Sequence, residues 1–238
     1  MSNNTKDQTN VYVQEIYNKS NKLIEKFLLS YFIFGVAISL FYDTYLIAFL
    51  IGGLIIGAYY ISKLMFKDAV INQYVASAGF AIFMAQFIYQ MHGMFEMHFF
   101  AFIGAAIMIT YHNCKNIIPL ALIIAVHHIL FAYLQMSGND EIYFSQVTWD
   151  LQTLVMHIGL AVVIFFICGI WAYELNKRTK NNTINLIQME QMTNVMMANM
   201  QFADDLAEGN LNSTLDSDQQ DPLGQSLMKI KKELLGKG

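Results

Sequence analysis

Histidines in apolar surroundings are the residues of this chain best suited to chemistry. All six lie between residues 92 and 157. The stretch QMHGMFEMHFF carries His92, Glu96 and His98, and the stretch AVHHILF carries the adjacent pair His127 and His128. Neutral imidazole is a common ligand for zinc, copper and iron. An ionisable side chain inside a membrane costs several kcal/mol unless it is paired, so such residues are functional candidates.

The histidine pattern predicts a metal centre and leaves its composition open. The candidate ligands of a transition metal (iron, copper or zinc, with one or two ions) are His92, Glu96, His98, His127, His128 and His157. The alternative is haem b, held by a pair drawn from His98, His128 and His157. Adjacent residues on a helix point about 100° apart, so at most one of His127 and His128 binds a single ion. A hydrogen-bonded histidine network is a third alternative, and His112 fits a site near the headgroups.

The elements that must position these residues are membrane helices. Of all residues, 55% are hydrophobic and 13% are charged, and the mean hydropathy is +0.39, whereas a soluble domain carries about 25% charged residues. A span needs about 20 mostly apolar residues. The sequence predicts an all-α, polytopic protein with six transmembrane helices: 27–42, 44–61, 69–91, 95–111, 117–136 and 149–173. Without a basic patch and interleaved aromatics, nucleic acid is not an expected partner.

Lysine and arginine in the loops predict the orientation. Positive charge is found in four places: the segment 1–26, the loop that contains Lys63 and Lys67, the loop that contains Lys115, and residues 177–180. The intervening loops have none, and the loop around Asp140 and Glu141 is acidic. This pattern predicts a multi-pass protein of a bacterial inner membrane, with both termini and the segment 1–26 in the cytoplasm. His127, His128 and His157 then lie about 12–15 Å below the outer edge, since a helix rises 1.5 Å per residue.

The region 176–238 differs in composition from the six-helix domain 27–175, because it contains no apolar span. Its heptads place Leu186, Thr193, Met200 and Ala207 at one core position and Met189, Met196 and Ala203 at the other. A second apolar stripe follows Asp221-Pro222 and contains Leu223, Leu227, Ile230 and Leu234. The sequences LAEGNL and DPLGQSLMKIKKEL resemble the connector and second helix of a HAMP linker of bacterial transducers. Position 222 is Pro where an acidic residue is usual. The resemblance implies a homodimer through Leu186–Ala207 and Leu223–Leu234, and an output module or kinase downstream.

The histidine-bearing stretches QMHGMFEMHFF and AVHHILFAYLQ are similar to a six-span sensory region of bacterial methyl-accepting chemotaxis proteins. They also loosely resemble the MHYT sensors, although the MHYT tetrapeptide itself is absent. Together with the HAMP-like segment, they imply a signal-transducing sensor, not an enzyme. Its metal or haem would report a gas, a redox change or the metal itself through the sixth helix. The alternatives are a membrane metalloenzyme of the oxidase or hydroxylase type, or a metal transporter. Neither alternative needs the HAMP-like segment.

Overall fold

The computed structural model describes residues 3–66, 70–138, 151–215 and 221–236. The chain divides into two compact units: residues Asn10–Thr179, called here the membrane unit, and residues Met1–Thr9 with Lys180–Gly238, called the linker unit. The described residues form helices, turns and no strand, as the sequence predicts. Lys67, Asp140, Glu141 and Trp149, which entered the predicted topology, lie outside the described residues.

Seven α-helices and three short 3₁₀ turns make up the described chain. The helices are α1 (Asn3–Tyr42), α2 (Tyr45–Met65), α3 (Val70–Gln90), α4 (Phe99–Met108), α5 (Ile117–Met136), α6 (Leu151–Ala207) and α7 (Pro222–Leu235). The 3₁₀ turns are Phe95–His98 before α4, Ile109–Tyr111 after it, and Cys114–Asn116 before α5. Helix α1 begins well before the predicted first span at Phe27, because the polar residues ahead of that span continue the same helix.

Helical segments are found at each of the six predicted spans. Among the described residues, five are long and apolar enough to cross a membrane: Val11–Tyr42, Tyr45–Met65, Val70–Gln90, Cys114–Met136 and Val155–Ala207. The segment Phe95–Tyr111 is apolar but shorter. Several long apolar helices therefore fit a membrane protein, and six crossings stay a prediction.

Helix α3 lies at the centre of the membrane unit, with α2 and α5 as its main neighbours. It buries polar side chains that a lipid-facing helix could not carry, because polar groups in hydrocarbon need internal partners. The amide Nε2 of Gln90, for example, lies within hydrogen-bond distance of the carbonyl of Gly35 (3.0 Å) and of the hydroxyls of Ser39 (2.9 Å) and Thr44 (3.0 Å), and its two hydrogens are donated among them. These bonds fix the end of α3 against α1, and the corner that leads to His98 starts from there.

Two tight corners frame α4. At the first, His92 and Gly93 have φ values of 51° and 78°, and at the second His112 has φ 52°. This left-handed region is uncommon for residues other than glycine. The carbonyl of His112 accepts a hydrogen bond from Nδ2 of Asn176 (2.7 Å). Nδ1 of the His112 ring lies 3.0 Å from the hydroxyl of Thr179. These bonds hold the second corner against α6. Burial lowers the pKa of His112 from its ordinary value of 6.5.

In the linker unit, α7 starts alongside α6 instead of continuing from its end. The side chain of Asp221 caps α7 by accepting from the amide of Gly224 (3.0 Å). The same carboxylate accepts two hydrogen bonds from Nδ2 of Asn199, at 2.9 and 3.0 Å. Asn199 precedes the end of α6 by about two turns. Helix α7 therefore begins beside α6 before α6 ends, and Lys231 of α7 lies 5.9 Å from the ring centre of Phe202.

Candidate metal centre

Three of the six histidines converge in the membrane unit. His98 ends the 3₁₀ turn before α4, His128 lies on α5, and His157 lies on α6. Each offers a ring nitrogen within 4.8 Å of the others. Among the described residues they form a group that could hold a metal ion.

The spacing of the rings suits one ion. The ring centres of His98, His128 and His157 lie 5.3, 5.5 and 5.6 Å apart in pairs, close to an equilateral triangle. With a metal–nitrogen distance of about 2.0–2.1 Å, ring centres lie about 3.2 Å from the ion, and tetrahedral to trigonal angles separate them by about 5.2–5.5 Å. The observed triangle is close to that separation.

Backbone carbonyls orient two of the rings. Nδ1 of His98 lies 3.0 Å from the carbonyl of Phe95, and Nδ1 of His128 lies 2.8 Å from the carbonyl of Ile124. A carbonyl only accepts, so each Nδ1 carries the hydrogen and donates it. The ligand lone pair then belongs to Nε2 of each ring. Hydrogen bonds of this kind fix the tautomer and orientation of histidine ligands in metal sites.

The three histidines are buried to different degrees. The side chain of His98 is 4% exposed, and His128 and His157 are half-buried. The ring of Phe95 stacks on His98, with ring centres 5.6 Å apart, and its centre lies 5.7 Å from that of His157. An aromatic side chain therefore covers one side of the group.

A small cavity of about 20 Å³ adjoins the three rings. Its other walls are carbon-rich and come from α3, α4, α5 and α6: Met84, Ala101, Phe102, Ile124, Ala161 and Phe165. A water molecule needs about 10–15 Å³ of such space. The cavity has space for one occupant of about that size, so an ion held by the three rings would keep an open position there. The cavity is much smaller than a macrocycle.

The other predicted ligands lie elsewhere. His92 stacks on Tyr42 at the corner after α3, with ring centres 3.8 Å apart. Glu96 is exposed on the 3₁₀ turn. His127 is buried and packs on Phe131 at 4.3 Å, and it lines a separate apolar groove of about 520 Å³ between α2, α3 and α5. None of the three belongs to the convergent group, and His112 lies at the second corner of α4.

The cavity walls were missed by the sequence analysis, although their spacing carried a signal. Ile124 precedes His128 by four residues, and Ala161 follows His157 by four. Residues four apart share a helix face, so these side chains must lie next to the ligands. Met84 gives no comparable signal, because α3 carries none of the three histidines.

Comparisons with known proteins do not identify the chain. No family model, curated protein or solved structure matches it.

Proposed function

We propose that this protein is a signal-transducing sensor of a bacterial inner membrane, with both termini cytoplasmic and no enzymatic activity. Its sensing element is a metal ion bound by His98, His128 and His157. The observation that carries the proposal is that one of these ligands, His157, lies on α6, a single helix that runs from Leu151 to Ala207. A change at the metal therefore acts directly on the helix that continues into the linker unit.

The ion and its ligands supply the input. Iron, copper and zinc all accept imidazole nitrogen. A metal with an open position could bind a gas or change its oxidation state. Alternatively, the binding and dissociation of the ion itself could be the signal. Each event alters how strongly His157 is held against His98 and His128. A ligand shifts a conformational equilibrium only by its different affinity for the two states, and the His157 bond provides that difference.

The linker unit supports the output half of the proposal. The HAMP resemblance requires two helices side by side joined by a connector, and α7 does start beside Asn199 of α6 through the Asp221 cap. Small changes in such packed helices are amplified when the packing has two stable arrangements. The conversion of a metal signal into a change of helix packing is therefore proposed to occur here.

A second copy of the chain is the proposed partner of the linker unit. The predicted heptad core side chains Leu186, Met189, Met196 and Met200 are exposed in the single chain, each by more than half. Leu223, Ile230 and Leu234 of α7 are exposed as well. A coiled-coil dimer would bury these side chains. The output module or kinase is proposed to follow the linker.

The cavity argues against the metalloenzyme alternative. General acid–base catalysis needs a titratable side chain within hydrogen-bond reach of the reacting group. Of the described residues that line the cavity, only the three metal-binding histidines titrate. The carbon-walled space of about 20 Å³ fits a gas molecule better than a larger substrate.

Crosslinking across the proposed dimer tests the coupling. A Met196→Cys variant is expected to form a disulfide between two copies, at a rate that differs between the metal-loaded and the chelator-treated protein. Adding His157→Ala is expected to remove that difference, because α6 then no longer touches the ion. The matched control is His92→Ala, which should keep the difference. Equal crosslinking rates with and without metal in the Met196→Cys protein would contradict the proposal.

A further inference from the structure

A second cavity, of about 590 Å³, lies at the other end of the membrane unit, between the first three helices. Helix α1 contributes Asn18, Asn21 and Lys22, α2 contributes Tyr60, Lys63 and Leu64, and α3 contributes Asn72. Ligand pockets commonly measure about 300–1,000 Å³. Neither the metal centre nor the linker unit uses this cavity.

The charge of its walls is positive. Lys63 forms an ion pair with Glu25, which offsets one lysine. Lys22 is exposed and has no ion pair among the described residues. Lys19, on the same helix, is paired with Glu15 at 2.7 Å and does not line the cavity. One lysine charge therefore remains to attract an anion.

Amide groups add hydrogen-bond donors beside that charge. The carbonyl oxygen of Asn21 accepts from the hydroxyl of Tyr111 at 2.6 Å, so its NH₂ group is left to donate. Asn72 is buried and bonded inside the fold: its Nδ2 donates to the carbonyl of Phe66 (2.7 Å) and its Oδ1 accepts from the hydroxyl of Ser62 (2.5 Å). Asn72 therefore forms a fixed wall, and Asn21 and Lys22 can hold negatively charged oxygen atoms.

The outer wall of the cavity is apolar and exposed. Leu64 is 75% exposed and Tyr60 is 46% exposed. Both lie in the last turns of α2, where an apolar span gives way to Lys63. Tyrosine and lysine at the end of a span are typical of the level of the lipid headgroups. A ligand that fits this cavity thus combines an anionic head with a hydrocarbon part.

We infer that this cavity binds the headgroup of an anionic phospholipid. The phosphate oxygens lie against Lys22 and Asn21, and the acyl chains follow Leu64 into the bilayer. Basic pockets between membrane helices on the cytoplasmic side are known to bind such headgroups. The inference is independent of the metal centre.

Native mass spectrometry of the full-length protein tests the inference. The protein is purified in mild detergent and offered vesicles that contain equal amounts of phosphatidylglycerol and phosphatidylcholine. Wild type is expected to retain phosphatidylglycerol in preference. The variant Lys22→Gln should retain about fivefold less, because a lysine near an anionic headgroup contributes about 1 kcal/mol. The matched control is Lys26→Gln, which changes an exposed lysine of the same helix outside the cavity.

Three results would overturn the inference. One is equal retention of the two lipids by wild type. Another is an equal loss in the Lys22→Gln and Lys26→Gln variants, which would indicate a general charge effect. The third is displacement of the lipid by millimolar inorganic phosphate, which would indicate a site for the free anion instead. Both lysines are exposed, so neither substitution should prevent folding.

Discussion

Replacing Gly224 by alanine probes how α7 is held beside α6. Gly224 is the third residue of α7. A Cβ atom added there would lie 2.1 Å from Oδ2 of Asp221 and 2.9 Å from Oδ1 of Asn199. These contacts are too short to persist, so the carboxylate of Asp221 has to leave its place. The substitution therefore breaks the helix cap and the bonds to Asn199 together.

The loss can be worked out from these bonds. A helix cap is worth about 1 kcal/mol, and hydrogen bonds to a charged group contribute about 1.5–3 kcal/mol. Alanine in a helix recovers up to about 1 kcal/mol relative to glycine. The net cost to the docked state of α7 is about 2 kcal/mol. Since 1.36 kcal/mol corresponds to a factor of ten, α7 should open about 30-fold more often.

Hydrogen exchange of the full-length protein, read by mass spectrometry, measures that opening. Amides of α7 are expected to exchange about 30-fold faster in Gly224→Ala than in wild type. The control is Gly236→Ala, whose added Cβ meets no atom closer than 3.5 Å. If α7 exchanges equally fast in both variants, the proposed role of the Asp221 cap is refuted.

Three further predictions follow from the membrane unit and the linker. Replacing Ala161 by leucine fills the small cavity, so metal content should stay near that of wild type while spectral changes on adding nitric oxide or carbon monoxide are lost; an unchanged gas response would contradict the cavity's role. Burial lowers the pKa of His112, so this side chain binds a proton less readily in the folded protein than in the unfolded chain. Its contribution to the free energy of unfolding is therefore full above pH 6.5 and declines as the pH falls below that value. His112→Asn, which tolerates the left-handed backbone, should flatten this part of the pH–stability curve, and an unaltered slope would count against it. Met189→Cys should crosslink two copies across the proposed coiled coil, whereas a lack of disulfide under oxidising conditions would argue against the dimer.

The sequence predicts that histidines from several helices come close together, but it does not predict which of them form the group. Counting the helical rise from the loops places His98, His128 and His157 in one layer, and the structure brings them together. The choice between His127 and His128 depends on which neighbour each face of α5 meets. His128 meets His98 in the 3₁₀ turn before α4 and His157 on α6, whereas His127 packs on Phe131 beside the groove to α2 and α3. Helix periodicity in one segment holds no information on the arrangement of the others.

The corners around α4 show a second limit of sequence reasoning. The glycine at position 93 indicates a turn, and the structure has one there. The turn also removes His92 and Glu96 from the group, because the chain passes through left-handed backbone and a 3₁₀ turn before α4 starts. Composition alone gives both residues the same apolar surroundings as His98. Their actual places depend on the path of the backbone, which spacing along one helix does not describe.

Metal stoichiometry, measured by elemental analysis of the purified protein, tests the central claim most directly. Wild type is expected to bind one transition-metal ion per chain. Replacing any of His98, His128 or His157 by alanine should weaken metal binding by more than about 100-fold, since even residues that only orient a ligand affect affinity 10–100-fold. The variants His92→Ala and His127→Ala should keep the ion. A wild-type protein without stoichiometric metal after loading, or equal loss in His127→Ala and His128→Ala with both variants folded, would contradict the assignment of this centre.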